Sequence, residues 1–318
     1  MIHLLRQGAP QLVEEETSEG WQLPAGTVWI DLLCPSRADE LAIEQALGLD
    51  LPTREEMAAI EPSSRFYQEN GATYLTATVL AHNQAGQPVS TQVTFVLVRS
   101  VLITIRYEAM RAFDLFAARG PQGGTVTCGG EAFLGLLDAI VERLADVLEG
   151  NTDEVQASSH AIFERSRGAS FEPLLMNLAK TQSVASLVRV SLISLGRLTG
   201  FAALAEDLAA SPSRRVHLDS LQHDVQSLVE HSGFISGQIS FLLDAALGLI
   251  NIEQNGIIKF FSVAAVVLMP PTLVASVYGM NFRHMPELDW PFGYPLALGA
   301  MVISAIGPFL WFRAQKWL

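Results

Sequence analysis

The sequence predicts an α+β membrane protein: a cytosolic mixed α/β domain, a helical stalk with one very long helix, and two carboxy-terminal transmembrane helices. Three observations carry this. Residues 257–278 and 292–312 are apolar over about the 20 residues that a helix needs to cross a bilayer core. A seam of apolar residues at spacings of three and four runs for about five heptads ahead of the first of them. Residues 27–106 carry strand-like runs and turn signals instead.

Taken in order, Thr27–Leu33 reads as a strand and 36–47 as a helix. Residues 66–79 read as a hairpin whose turn, Asn70-Gly71, favours positive φ. Residues 91–98 and 101–107 form a second pair around Arg99-Ser100, and helical pattern follows over 107–119. Gly120-Pro-Gln-Gly-Gly124 then punctuates the chain. From Gly130 to Ile252 the pattern is helical, with breaks near 168–173 and 210–213.

The last of these helices holds the seam: Leu218, Leu221, Val225, Leu228, Ile235, Ile239, Leu242, Ala246 and Leu249, interrupted by Ser232. No proline falls between Ser213 and Met269, so one helix is expected to run on into the first span. At 1.5 Å per residue such a rod exceeds roughly 80 Å. A second series of Phe241, Asp244, Gly248, Asn251, Asn255, Ile258, Ser262, Ala265, Met269, Thr272, Ser276 and Gly279 lies about 200° around the helix. It is polar before the span and small or weakly polar within it. Such a face serves either close helix packing or a water-filled path. Continuity with Asp244 and the two asparagines favours the path, because packing does not call for a carboxylate there. Pro270 and Pro271 lack amide protons, leaving the carbonyls of Val266 and Val267 without helical partners; these make a kink or meet pore water.

Charge and cysteine usage narrow the function. The chain carries 20 Lys+Arg against 33 Asp+Glu. From residue 255 onward only Lys259, Arg283, Arg313, Lys316, Glu287 and Asp289 are charged, which leaves a net of −15 on the first 254 residues. That surface repels nucleic acid and attracts cations. Cys34 and Cys128 lie in no disulfide framework or zinc-ligand spacing, and no phosphate-binding loop or catalytic constellation stands out. The amino terminus lacks the basic-then-apolar pattern of a signal peptide. Lys259 before the first span, and Arg313 and Lys316 after the second, place both termini in the cytosol and 279–291 outside.

Between the spans stands Tyr278-Gly279-Met280-Asn281-Phe282, followed by Met285-Pro-Glu-Leu288, Trp290 and Gly293-Tyr-Pro295. Together with Phe241-Leu-Leu-Asp244, Asn251-Ile-Glu-Gln-Asn255, Pro270-Pro-Thr-Leu273 and Lys316-Trp-Leu318, this resembles the CorA magnesium channels. Fainter agreement runs through Pro52–Glu56 and Glu61–Arg65.

The resemblance implies a funnel-shaped homopentamer in a bacterial inner membrane, with no cofactor and no catalytic residues. The first transmembrane helix of each subunit would line one pore, and the ion would be Mg²⁺, with Co²⁺ and Ni²⁺ also carried. Gly279, Met280 and Asn281 would form the selectivity filter, with Asn281 facing hydrated Mg²⁺; as a helix end, Asn281 also reads as a left-handed C-cap. Asn255, Ile258, Ser262, Ala265, Met269, Thr272 and Ser276 would line the pore. Phe261 either narrows it with them or faces lipid. Asp244, Asp219 and Asp224 are candidates for cytosolic Mg²⁺ sensing between subunits; a solvated helix face is the plain alternative for the last two. Glu287 and Asp289 would gather cations in the periplasmic loop, or be ordinary loop carboxylates.

The expected partition is 1–124 for the cytosolic α/β domain and 125–254 for the helical domain, which includes the start of the pore helix. The first transmembrane helix takes 255–278, the periplasmic loop 279–291, the second transmembrane helix 292–312 and a basic tail 313–318. Two other readings stay open: a zinc transporter of the ZntB-like branch, and a non-conducting membrane-anchored sensor or scaffold.

Overall fold

The computed structural model describes residues 2–9, 12–16, 21–83, 85–119, 126–164, 170–281, 285–286 and 290–315. Elements follow in the order β1 (Ile2–Arg6), β2 (Val13–Glu15), β3 (Thr27–Leu33), α1 (Arg37–Leu47), α2 (Arg54–Met57), α3 (Pro62–Arg65), β4 (Phe66–Glu69), β5 (Ala72–His82), β6 (Pro88–Val98) and β7 (Val101–Arg106). The helices α4 (Arg111–Arg119), α5 (Gly129–Phe163), α6 (Glu172–Ala202), α7 (Glu206–Ala209), α8 (Pro212–Tyr278) and α9 (Gly293–Ala314) complete the chain.

The strands form one seven-stranded sheet in the order β2-β1-β3-β7-β6-β5-β4. Only β3 and β7 pair in parallel; the other neighbours are antiparallel. Local chemistry sets the turns. Asn70 and Gly71 have φ of 50° and 77° between β4 and β5, while Arg99 and Ser100 have 46° and 66° between β6 and β7. Two successive positive φ values match the right-handed twist of the strands they join. Ser36 accepts from the Asp39 amide while Asp39 reaches back to the Ser36 amide, and Gly48 ends α1 at φ 69°. That is a capping box at one end and a left-handed stop at the other.

Alternation along the strands divides the core into two layers. Ile30, Leu32, Ile103, Ile105 and Val96 face Ile43 and Leu47 of α1 and Met57 of α2. On the opposite face Phe95 meets Phe133 of α5 edge to face, and Trp29 meets Phe116 of α4. A buried polar network lies on this second face. Arg106 donates Nη2 to Asp31 Oδ2 at 2.8 Å and Nε to Oδ1 at 3.1 Å. Thr104 donates to Asp31 Oδ1 at 2.7 Å and accepts from Trp29 Nε1 at 2.9 Å. Each charge has its partner, so the pair does not leave a bare ion in the core.

α5 and α6 lie against the sheet, and the chain divides into two compact units, Met1–Leu242 and Leu243–Leu318. The amino-terminal end of α5 docks on the β6–β7 turn, where the Gly129 amide donates to the Ser100 carbonyl. The division between these units falls within α8.

α8 is a single helix of 67 residues. Its seam is sheltered as expected: Leu218, Leu221, Val225, Ser232, Ile235, Ile239, Leu242 and Ala246 are all buried. Among the described residues three helices are long and apolar enough to cross a membrane: Glu172–Ala202, Pro212–Tyr278 and Gly293–Ala314. The additional one, α6, buries Leu178, Ala185, Val188, Leu192, Leu195 and Leu198. Its Ser194 hydroxyl accepts the Thr78 amide of β5 at 2.8 Å, so its apolar character serves the sheet.

A Cβ on Gly129 would run into the Val101 and Leu102 backbone, whereas one on Gly150 in the same helix meets nothing within 4 Å. Gly129→Ala is expected to lower stability by about 1–3 kcal/mol, as overpacking against rigid backbone does. Gly150→Ala is expected to be neutral or to stabilise by up to about 1 kcal/mol. Thermal unfolding of the two variants against the parent protein measures both.

Candidate ion pathway and its mouth

The second unit contains the end of α8, a short connector and α9. Within 262–278 the sheltered side of α8 is defined by Val263, which is buried, and by half-buried Ala264, Val267, Pro270, Pro271, Val274 and Tyr278. At 100° per residue these centre about 180° from Ser262, Ala265, Met269, Thr272 and Ser276. Those five are exposed, as are Asn255 and Ile258 before them. Phe261 is also exposed, on the flank of the series. Ser262, Ala265, Met269, Thr272 and Ser276 thus lie on one side, while around Asn255 and Ile258 every residue from 251 to 262 is exposed and no side is set apart; in α9 the buried residues are Ala297 and Phe312.

The helix continues through Pro270 and Pro271. Thr272 donates its hydroxyl to the Met269 carbonyl at 2.8 Å, so its remaining lone pairs are what it offers the open face. α9 repeats the device: Ser304 donates to the Met301 carbonyl at 2.9 Å, four residues before Pro308.

At the mouth, the Gly279 amide donates to the Ala275 carbonyl at 2.9 Å and α8 ends. Neither Gly279 nor Asn281 has positive φ, so the left-handed cap is not what ends the helix. A Cβ at Gly279 would lie 3.0 Å from the Ala275 oxygen, a tight contact to which that carbonyl would have to yield slightly. Met280 and Asn281 are exposed, and the Asn281 amide has no hydrogen-bond partner among the described residues. Glu287 and Asp289 lie outside the described residues. Aromatic side chains flank α9, with Trp290, Phe292 and Tyr294 at one end and Trp311 and Phe312 at the other. Such rings suit the two membrane–water interfaces.

The three candidate sensor carboxylates do not converge within a protomer. Asp219 lines an open cleft of about 540 Å³ between α6 and α8, with Arg197, Gln222 and His223. Asp224 faces the other way, close enough to Asp138 of α5 to raise its pKa. Asp244 belongs to the second unit. Among the described residues no three His, Cys, Asp or Glu side chains are placed to hold a metal ion.

One polar contact was not anticipated: His217 Nε2 of α8 lies 2.8 Å from Asp138 Oδ2 of α5. Burial pushes the Asp138 carboxyl up, His217 opposes this, and Asp224 and Glu142 push it up further. The sequence signal was the presence of His217 in the turn before buried Leu218, but its partner lies 79 residues away and no local pattern announces it.

The family model of the CorA-like Mg2+ transporter protein matches residues 24–314. The magnesium transport protein CorA of Yersinia pseudotuberculosis is 34% identical over 296 residues, covering 92% of this chain and 93% of that protein. The complete structure of the CorA magnesium transporter from Methanocaldococcus jannaschii superposes with a TM-score of 0.77 at 17% identity, over 100% of this chain and 99% of that one. The ZntB cytoplasmic domain from Vibrio parahaemolyticus gives 0.60 at 10% identity, over 79% of this chain and 98% of that domain. At that identity the likeness is one of fold.

The opposition of an open and a sheltered face can be measured in membranes. With Cys34 and Cys128 changed to serine, cysteines at 262, 269 and 272 are expected to react faster with a charged, water-soluble thiol reagent than cysteines at 263, 267 and 274. Equal rates on the two faces would dismiss the assignment.

Proposed function

The chain belongs to the CorA-like Mg²⁺ transporter family, and on that premise we propose that it is a divalent cation channel for Mg²⁺ uptake, also admitting Co²⁺ and Ni²⁺. The observation that carries the reading is the exposed face of Ser262, Ala265, Met269, Thr272 and Ser276 on α8, set opposite the sheltered side within 262–278. An anchor or scaffold has no use for such a face.

In this reading five copies surround one axis in a bacterial inner membrane, termini inside, and each contributes that face. Mg²⁺ keeps its hydration shell and prefers octahedral oxygen. A ring of Asn281 amide oxygens hydrogen-bonds the shell without stripping it. A carboxylate ring would hold the ion harder, and conduction needs binding weak enough to release. Met280, beside it, carries no charge to compete. Ile258, Ala265 and Met269 form the apolar stretch, where a small change in radius gates by dewetting. Membrane potential supplies about 2.3 kcal/mol per charge per 100 mV, so roughly 4.6 kcal/mol for Mg²⁺, and no ATP is required. Cytosolic Mg²⁺ closes the channel by binding acidic residues between subunits, with Asp244, Asp219 and Asp224 as the candidates.

Mg²⁺ flux into proteoliposomes under a negative-inside potential is the test. Flux is expected to follow the potential, to be blocked by internal Mg²⁺, and to fall to near background in Asn281→Ala. Potential-independent zinc uptake would transfer the protein to the zinc branch. No divalent flux from a folded oligomer would leave the anchored sensor.

A further inference from the structure

In the first unit the seam of α8 repeats apolar residues at spacings of three and four from Leu218 to Leu242, and Ser232 interrupts it. Helices packed on such a seam bury nearly the same area when one slides along the other by a turn. Apolar contact therefore holds α8 in place without choosing its register. Ser232 is buried, and its hydroxyl makes one long contact, 3.5 Å to the Ala185 carbonyl of α6. Two further side chains are short of partners. Among the described residues, Asn151 Nδ2 of α5 and Gln182 Oε1 of α6 are buried without a hydrogen bond, and Asn151 as a whole is only 8% exposed.

The three residues stand at one level of the α5, α6 and α8 stack. The helices α5 and α6 are 35 and 31 residues long and are joined by residues 164–171, too few to run back along either, so they lie antiparallel. Asn177 of α6 donates to Glu154 Oε2 at 2.8 Å and to Ser158 Oγ at 3.4 Å. Five residues on, Gln182 is therefore level with the stretch five residues before those two, 149–153, whose centre is Asn151. The helices α5 and α8 run parallel, since the contacts of Asp138 with His217 and of Thr152 with His231 stand fourteen residues apart on both. Asn151 is thus level with Glu230, and Ser232 lies about 3 Å further along. To either side the layers are apolar: Leu148 and Val155 of α5, Leu178 and Ala185 of α6, and Ile235 of α8 are buried. Thr152 and Thr181, in the same stretch, give their hydrogens to the Leu148 and Asn177 carbonyls of their own helices.

We infer that Asn151, Gln182 and Ser232 form a polar layer that fixes the register of α8 against α5 and α6. The Asn151 amide offers a hydrogen and the Gln182 oxygen offers lone pairs, so at this level the two can satisfy each other directly or through one water, and the Ser232 hydroxyl can serve either. A slide of α8 by one turn brings apolar Leu228 or Ile235 to the layer in place of Ser232. The amides then face hydrocarbon that can neither give nor accept a hydrogen bond, and that register is disfavoured. A layer of this kind lowers stability relative to an apolar one while selecting a single alignment. Because α8 is unbroken from Pro212 to Tyr278, a displacement in the first unit would pass along the whole helix.

Double electron–electron resonance on the full-length protein in nanodiscs, with labelled copies diluted among unlabelled ones, reads the register without any flux. With Cys34 and Cys128 changed to serine, spin labels go on Gln156→Cys of α5 and Arg215→Cys of α8, both at exposed positions. By the same alignment 156 is level with 235, so the labels stand about 30 Å apart along the helices, and a slide of one turn changes that by about 5 Å. The parent protein is expected to give one distance. Asn151→Val, Gln182→Leu and Ser232→Ala together are expected to leave the melting temperature unchanged or higher and to add a second distance displaced by about 5 Å. Two distances in the folded triple variant support the layer. A single unchanged distance there overturns it, whatever the melting temperature, and so do two distances in the parent protein. Gln182→Leu with Ser232→Ala, which leaves α5 untouched, puts the same question with the same two answers if the triple variant does not fold.

Discussion

Hydrocarbon offers a peptide group no hydrogen bond, and the second unit follows from that constraint. A backbone crossing it must satisfy itself, so both apolar segments are helices. Once the backbone is spent on the ladder, polarity within the span has to come from side chains and from carbonyls that the ladder leaves out. Asn255, Ser262, Thr272 and Ser276 are the first kind. Pro270 and Pro271 create the second kind at Val266 and Val267, which sit at the edge and at the back of the open face. Thr272 turns its hydrogen inward to the Met269 carbonyl, which keeps a hydroxyl in the span from standing unpaired.

The same helix answers to two solvents. In the first unit α8 presents its seam to protein and its remaining sides to water. In the second it presents Val263, Val267 and Val274 on one side and the small and polar series on the other. The two sheltered sides keep one seven-residue register: Leu218, Val225, Ser232, Ile239 and Ala246 step on to Val267 and Val274, and Leu221, Ile235 and Leu242 step on to Val263 and Pro270. A single periodicity thus serves both halves of the helix.

What could be read in the sequence was local or periodic. The strand Thr27–Leu33, the Asn70-Gly71 turn, the Arg99-Ser100 turn, the capped α1 and the long seam each carry their signal within a few residues or at a constant spacing. What could not be read depends on distant partners. β1 and β2 are short, and their identity as strands rests on pairing with β3 and with each other. Asp31 and Arg106 look like surface charges in a strand until parallel pairing of β3 with β7 sets them side by side. α6 reads as a helix of membrane composition because one of its faces is spent on the sheet. The open face of α8 was legible, since a 3-4 series is a property of one helix.

Charge is distributed in keeping with these roles. The first 254 residues hold 31 of the 33 carboxylates, while between Lys259 and Tyr278 the chain has none. A carboxylate in the span would cost several kcal/mol and would trap a divalent ion. In the proposed channel, a neutral amide at the mouth avoids both penalties while still orienting hydration water. Acidic surface in contact with water carries little desolvation penalty and raises the local cation concentration. Keeping strong charge in water and weak dipoles on the path separates attraction from passage.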